Sequence, residues 1–353
     1  MKLLPAKKRK IAIIFTGGLG DTLLYTPLLK ELRKKHFHIT CIFYSRNDID
    51  FLLDSTLTDR KFHIKNKVGM LAFALTHPQR FVNFYINHLA QGKLIKLAAK
   101  ISSARITQTS DQKSKDTRRC RKIAEVPLFT YAEQNLHLLY TASNSVIRNI
   151  QSFYFPTPLP NPEMGKGYLK DMPPRYYIVQ VSCGNNMMPF KNWPVAKWAA
   201  LINRLCINFR DISFVLAGDN AETSYTHVFE NLRLPNCRIL IGKTSVPELF
   251  NLLAHSEGYI GLDSGLMHLA AALQKKSLAI FGASNEKLLG YHILDKSTHA
   301  VIASSLYCRP CSSYKNANTS RVSDPMLCPD FACLATITEE EVYKKVLVHF
   351  NLD

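Results

Sequence analysis

Three stretches of this chain gather side chains able to do chemistry. The first is Thr16-Gly17-Gly18-Leu19-Gly20-Asp21. Its three glycines let the backbone turn tightly and approach a ligand closely. Asp21 stands at the mouth of a helix, where an acid is either a cap or a reactive carboxylate. The second stretch is Asp263-Ser264-Gly265-Leu266-Met267-His268. Ser264 and Gly265 open a helix whose free amides suit an anion, with His268 about one turn in. The plainer alternative makes Asp263 and Ser264 a simple cap and His268 a satisfied core histidine. The third is a cysteine cluster, Cys308, Cys311, Cys328 and Cys333, spaced C-x2-C-x16-C-x4-C. That spacing is compatible with a tetrahedral thiolate site for a structural Zn or Fe ion; a reduced or partly oxidised loop is the alternative. Cys41, Cys120, Cys183, Cys206 and Cys237 are scattered, as suits reduced thiols in a cytosolic protein.

Two nucleotide-binding patterns are excluded. Read as G-x-G-x-x-G from Gly18, the third glycine falls on Leu23, and no G-x-x-x-x-G-K-[ST] occurs.

The elements that must hold these residues read as alternating strands and helices. The run Ile11 to Phe15 is a buried strand ahead of the first glycine turn, followed by a helix with Leu24, Leu28 and Leu32 on its apolar face. Ile39 to Tyr44 is a second strand. Arg46 to Asp59 reads as a loop with a short helix, and Val68 to Ala98 as a long, mostly helical segment. The end of that segment, Gly92 to Lys100, is basic and amphipathic, which suits a membrane surface or a plain solvated face. Thr107 to Arg121 reads as a mobile loop, and Tyr131 to Ile147 as a helix. The prolines between Phe155 and Pro174 mark a linker.

In the second half, Tyr177 to Val181 is a strand leading into the polar turn Ser182-Cys-Gly-Asn-Asn186. A helix follows Lys191-Asn-Trp-Pro194. Ile212 to Leu216, Arg238 to Gly242, Gly258 to Gly261 and Ser277 to Phe281 read as strands, the last of these being the last clear strand. Ser245 to Glu248 is a capping box, and Glu339 to Phe350 a closing helix. The expected organisation is α/β: an N-terminal doubly wound domain over 1–157, a linker over 158–175, and a second doubly wound domain over 176–337. The second domain carries the Cys-rich segment 308–333, and a C-terminal helix follows over 338–353. Ligands of such sheets sit at the carboxyl ends of the strands, so the glycine turns of both halves should face a central cleft.

With 353 residues, 46% of them hydrophobic, the chain can build two real cores, and no stretch approaches the roughly 20 apolar residues of a membrane span. The basic run Lys7 to Lys10 before Ile11 mimics a signal peptide, but the apolar run is too short, which points to a cytoplasmic protein. The net charge of +18 suits an anionic partner: nucleic acid, a membrane surface or a phosphorylated substrate; solubility alone is the alternative. A nucleic-acid binder would need aromatics clustered beside the basic residues, or a known module; neither is found, so no nucleic acid is expected.

Five segments in order carry a family resemblance: G-G-L-G-D-T-L-L-Y-T-P-L-L from Gly17, K-N-W-P at Lys191, A-G-D-N-A-E at Ala217, D-S-G-L-M-H-L-A-A-A-L from Asp263, and A-I-F-G-A-S at Ala279. With these the chain resembles glycosyltransferase family 9, the heptosyltransferases of the lipopolysaccharide inner core. The resemblance implies a GT-B fold of two Rossmann-like domains, acceptor on the first and nucleotide sugar on the second. It implies inverting, metal-independent transfer of heptose from ADP-heptose to an anionic inner-core glycolipid, by an enzyme peripheral to the inner face of the cytoplasmic membrane. Carried over by position, Asp21 resembles the general base, with Gly17, Gly18 and Gly20 on the acceptor side. Lys191 resembles the donor-phosphate ligand. Asp263, Ser264, Gly265 and His268 resemble the diphosphate- and sugar-binding motif. Asn185 and Asn186 fall where family members often carry Ser or Thr. Asp219 or Glu222, with Glu222 preferred, would hold the ribose. Cysteines recur in the family without a general metal requirement, though a related group that modifies autotransporter proteins carries an iron-bound cysteine finger. Another nucleotide sugar or a protein acceptor is the second reading. A glycan- or nucleotide-binding protein without turnover is the third, and the presence of Asp21, Lys191 and Asp263 argues against it.

Overall fold

The apolar runs of both halves form parallel sheets. The computed structural model describes residues 9–44, 49–53, 55–86, 92–110, 120–124, 151, 153–154, 166–183, 188–218, 226–311 and 325–352. The chain divides into two compact units, Met1–Pro160 and Asn161–Asp353. No helix among the described residues is long and apolar enough to cross a membrane.

The first unit holds β1 (Lys10–Phe15), α1 (Leu19–Leu23), α2 (Thr26–Lys34), β2 (His38–Tyr44), β3 (Arg60–Ile64), α3 (Lys67–Thr76), β4 (Asn83–Ile86), α4 (Lys93–Ser102), β5 (Ile106–Ser110) and β6 (Cys120–Ala124). Its sheet runs β3-β2-β1-β4-β5-β6 with every pair parallel. This is the doubly wound order, whose winding reverses between β1 and β4.

The second unit holds α5 (Lys166–Leu169), β7 (Tyr176–Gln180), α6 (Val195–Asn208), β8 (Ser213–Ala217), α7 (Thr226–Glu230), β9 (Cys237–Ile239), α8 (Val246–His255), β10 (Gly258–Leu262), α9 (Gly265–Ala272), β11 (Lys276–Phe281), α10 (Glu286–Leu289), β12 (His299–Ala303), α11 (Ala332–Ala335) and α12 (Glu339–Phe350). Its parallel sheet, β12-β11-β10-β7-β8-β9, repeats the same order, with the reversal between β7 and β10. Strands buried on both faces explain the continuous apolar runs. Trp198, Leu201, Ile202 and Leu205 line the inward face of α6, as their 3.6-residue spacing requires. Trp193 packs edge-on against Trp198, ring centroids 5.0 Å apart.

Several sequence expectations are corrected. The helix after the first glycine turn is two helices: Pro27 near the start of α2 has no amide to continue the ladder from α1. The segment Val68 to Ala98 is not one helix. Pro78 follows α3, and the aromatic run Asn83–Ile86 pairs with β1 as β4 before α4 begins. Thr107 to Arg121 is not a loop throughout, since β5 and β6 occupy its two ends. Ser277 to Phe281 is not the last strand; β12 follows it and pairs beside it. β3 was not anticipated, because its alternation in Arg-Lys-Phe-His-Ile is masked by charge. The helix expected over Tyr131 to Ile147 lies outside the described residues.

Candidate active site

The second unit concentrates its polar machinery at the carboxyl ends of β7 and β10, the strands flanking the reversal. Beyond β7 the chain turns through a 3-10 helix, Pro189–Lys191, and beyond β10 it reaches Asp263 and the N-terminus of α9. Lys191 Nζ lies 2.8 Å from Asp263 Oδ2 and donates to the Asp263 carbonyl at 3.2 Å. The pair is nearly enclosed: Lys191 is 13% exposed and Asp263 2%. Burial alone would raise the Asp263 pKa. The charge and hydrogen bond of Lys191, with smaller help from Ser284 and His268, outweigh it and hold the carboxyl below its usual range.

The turn carrying Lys191 is fixed from three sides. Asn192 Oδ1 accepts from the Cys183 amide at 2.9 Å, tying the turn to the exit of β7. Trp193 is buried and donates from Nε1 to the Ile337 carbonyl. The Phe190 carbonyl accepts from the Ala283 amide at 3.3 Å, and the Ala283 carbonyl accepts from Cys311 at 2.9 Å. Gly282 permits this approach, because a Cβ there would overlap the Phe190 oxygen.

Ser264 occupies the N-cap position of α9 in extended conformation, yet its hydroxyl does not cap the helix. It bonds instead to Gln180 Oε1, which also accepts from the Tyr259 hydroxyl at 2.8 Å. The first amides of α9 therefore carry no side-chain cap, leaving an end with partial positive charge beside Lys191. His268 is buried and meets the Tyr291 hydroxyl through Nδ1 at 2.7 Å. Burial, and then the Asp263 charge, push the Tyr291 pKa up, so it stays a neutral phenol. The resulting cluster holds one cation, one buried anion and an open helix end, a combination able to hold a diphosphate without a metal.

In the first unit, the Gly17–Asp21 turn follows β1 at its own reversal. Asp21 Oδ2 accepts from the Gly18 amide at 2.8 Å. A Cβ on Gly17 would overlap the Asp21 carboxylate, so that position needs glycine. Asp21 thus caps its own helix with one oxygen, while Oδ1 has no partner among the described residues. Asn185, Asn186, Asp219 and Glu222 lie outside the described residues.

Cys308, Cys311, Cys328 and Cys333 line one small cavity with Phe190, Ala283 and Phe331. Burial raises the Cys311 thiol, and burial with the neighbouring Cys311 raises Cys333 to about 11. Arg309, whose guanidinium donates to the Gly282, Ser284 and Ser304 carbonyls and pairs with Glu286, braces this loop against the end of β11. Four thiols line this one cavity, and thiolates are the ligand type of a structural zinc or iron site. Among the described residues no group of three or more His, Cys, Asp or Glu side chains is arranged to hold an ion.

Gln180, Asn192, Tyr291 and Arg309 were not singled out in the sequence. Gln180 had a signal, as the lone polar residue ending an apolar strand, and Asn192 stood within a quoted motif. Tyr291 and Arg309 had none.

Comparison with known proteins places this geometry. The profile of the family described as Glycosyltransferase family 9 (heptosyltransferase) matches residues 159–321, where Lys191, Asp263 and α9 reside. The chain is 24% identical to lipopolysaccharide heptosyltransferase 3 of Escherichia coli over 294 residues, covering 75% of this chain and 81% of that protein. The crystal structure of a family 9 glycosyl transferase from Veillonella parvula aligns with a TM-score of 0.74 at 16% identity, covering 99% of both chains. The structure of E. coli ADP-heptose lps heptosyltransferase II aligns at 0.68 and 19% identity, covering 97% of this chain and 98% of that one. The fold is GT-B. The family profile lies on the unit that holds the Lys191–Asp263 pair, so residues 159–321 carry a glycosyltransferase family 9 domain and the chain is a glycosyltransferase.

Proposed function

We propose that this enzyme moves a heptose from ADP-heptose to the inner core of lipopolysaccharide or lipooligosaccharide, at the cytoplasmic face of the inner membrane. The observation that carries the reading is the Lys191–Asp263 pair beside the uncapped N-terminus of α9. The names of the relatives supply the sugar and the acceptor class. The acceptor hydroxyl oxygen attacks the anomeric carbon, the bond from that carbon to the β-phosphate oxygen breaks, and ADP leaves with the bonding electrons. Asp21 takes the hydroxyl proton through its unengaged Oδ1. Lys191 and the α9 amides stabilise the charge growing on the diphosphate. Asp263 positions Lys191, and His268, backed by Tyr291, contacts the donor. The N-terminal unit serves the acceptor and the C-terminal unit the donor; Glu222, Asn185 and Asn186 retain their expected donor-side roles.

The test is a panel of nucleotide sugars offered with heptose-deficient core acceptor, read by mass spectrometry of the product. Transfer from ADP-heptose is expected, and transfer from another donor alone would overturn the sugar assignment. Asp21→Asn keeps a carbonyl for the Gly18 amide, so the turn persists. The variant should bind ADP normally and lose transfer by several orders of magnitude. Normal turnover would remove Asp21 from the mechanism.

A second proposal concerns the cysteines. Cys308, Cys311, Cys328 and Cys333 would hold a structural Zn or Fe ion, which when bound cross-links the loop behind Phe190. Metal analysis of purified protein should find close to one equivalent, lost in a Cys311→Ser, Cys333→Ser variant. Equal metal in both proteins would rule the site out.

A further inference from the structure

The first unit carries a surface that the transfer reaction does not use. On α3, Val68, Leu71 and Leu75 are 76%, 40% and 63% exposed, and their i, i+3, i+7 spacing puts them in one row on the helix. On α4, which packs beside α3, Leu97 is 47% exposed on the face shared with Lys93. Met70, Phe73 and Ala74 of α3, with Ile95, Ala98 and Ala99 of α4, fill the core instead. The exposed leucines and valine are therefore a second apolar face, not a spill-over of the first.

The stretch of sequence that carries this face has charge of one sign. Between Asp59 and Asp111 the chain has no acidic residue at all, but six lysines and three arginines. Both helices begin with lysine, Lys67 and Lys93, with no acid in the first turn. A helix N-terminus favours acids, so these lysines oppose the stability of their own helices. Their placement serves something outside the helix. A second copy of the chain is a poor occupant, since it would bring two such cationic faces together. An apolar row rimmed by lysine matches the interface of an anionic bilayer, where apolar side chains enter the acyl boundary and lysines reach the headgroups.

We propose that the α3–α4 face docks this enzyme on the anionic lipid surface of the membrane. The inference rests on the reading that the acceptor is a membrane-borne glycolipid, and it names the part of the chain that meets that membrane. Val68, Leu71 and Leu75 insert, while Lys67, Lys93 and Lys96 hold the headgroups.

The test uses the full chain and vesicles of phosphatidylcholine with or without one-third phosphatidylglycerol, read by co-sedimentation. Binding is expected only to the anionic vesicles, weakening as salt rises to about 0.5 M. Neutralising Lys93→Gln and Lys96→Gln together should weaken partitioning on the order of twentyfold, at about fivefold per lysine. A Val68→Ser, Leu71→Ser, Leu75→Ser variant should lose the salt-resistant remainder. All five positions are on the surface, and an unchanged thermal melt certifies the fold. Equal binding by both variants and the parent would overturn the proposal. So would a parent dimer in sedimentation velocity that the triple serine variant abolishes, since the face would then pair two copies. Heptose transfer to detergent-dispersed acceptor is measured in parallel. Normal transfer without vesicle binding refutes the docking face alone, and vesicle binding without transfer refutes the reaction alone.

Discussion

Replacing Lys191 with methionine tests the electrostatics of the donor end most directly. In the parent, Asp263 is nearly sealed from solvent and keeps its charge because Lys191 sits 2.8 Å away. Remove the ammonium and burial, the largest single influence on this carboxyl, is no longer outweighed. Leaving a buried charge unpaired costs about 3–5 kcal/mol, or for a unit of this size on the order of 10 °C in melting temperature. The pH dependence supplies the stricter check. In the parent the Asp263 pKa is lowered, so its stabilisation is present above the ordinary carboxylate value and is lost only as acid titrates through the lowered one. In K191M the folded pKa is raised, so the cost grows as pH rises from about 3.9 towards that raised value, at about 1.4 kcal/mol per pH unit. Moving from pH 7 to pH 5 should narrow the K191M deficit by up to about 3 kcal/mol, while the buried histidines, His299 among them, shift both proteins alike. The assay is urea unfolding followed by tryptophan fluorescence. Both tryptophans of the chain, Trp193 and Trp198, lie in the core of the same unit, so the signal reports that unit alone. A K191M deficit that stays constant between pH 7 and pH 5 would refute the pairing as the source of the stability.

Two further substitutions probe the turn that carries Lys191. Gly282→Ala puts a methyl into the Phe190 carbonyl and forces the turn away from β11; a loss of about 1–3 kcal/mol and weaker ADP binding are expected by calorimetry, and unchanged ADP affinity would separate the turn from the donor site. Asn192→Ala removes the carbonyl that the Cys183 amide donates to at the exit of β7, for about 1–3 kcal/mol and a severalfold weaker ADP affinity; a full loss of stability with no change in binding would make Asn192 structural only.

The local signals in the sequence proved sound where one segment sufficed to define them. The closing helix Glu339–Phe350 has a capping box and a turn residue, Asn351, in the left-handed region, so both ends were marked by chemistry close in sequence. The Ser245–Glu248 box and the inward face of α6 were legible for the same reason. β4 and β12 were not. Each is a run of only four or five residues, whose strand character comes from pairing with β1 and β11 rather than from its own pattern. At the site, Ser264 looked like a helix cap but turns to Gln180, and Asp263 looked free to meet a ligand but pairs with Lys191. Both outcomes depend on partners more than seventy residues away, which no spacing rule encodes.

The hydrogen-bonded path from Cys311 through Ala283 to Phe190 has a consequence for motion. These amides and carbonyls join three segments that are distant in sequence: the cysteine loop, the end of β11 and the turn holding Lys191. Opening either flanking segment breaks a bond to the segment after β11, so their openings should be coupled into one cooperative unit. In hydrogen exchange the amides of Ala283, Lys191 and Cys311 should then share a single opening free energy. On that account the lysine does not search for its ligand as a tethered side chain on a loose loop; it is presented on a block that yields only as a whole.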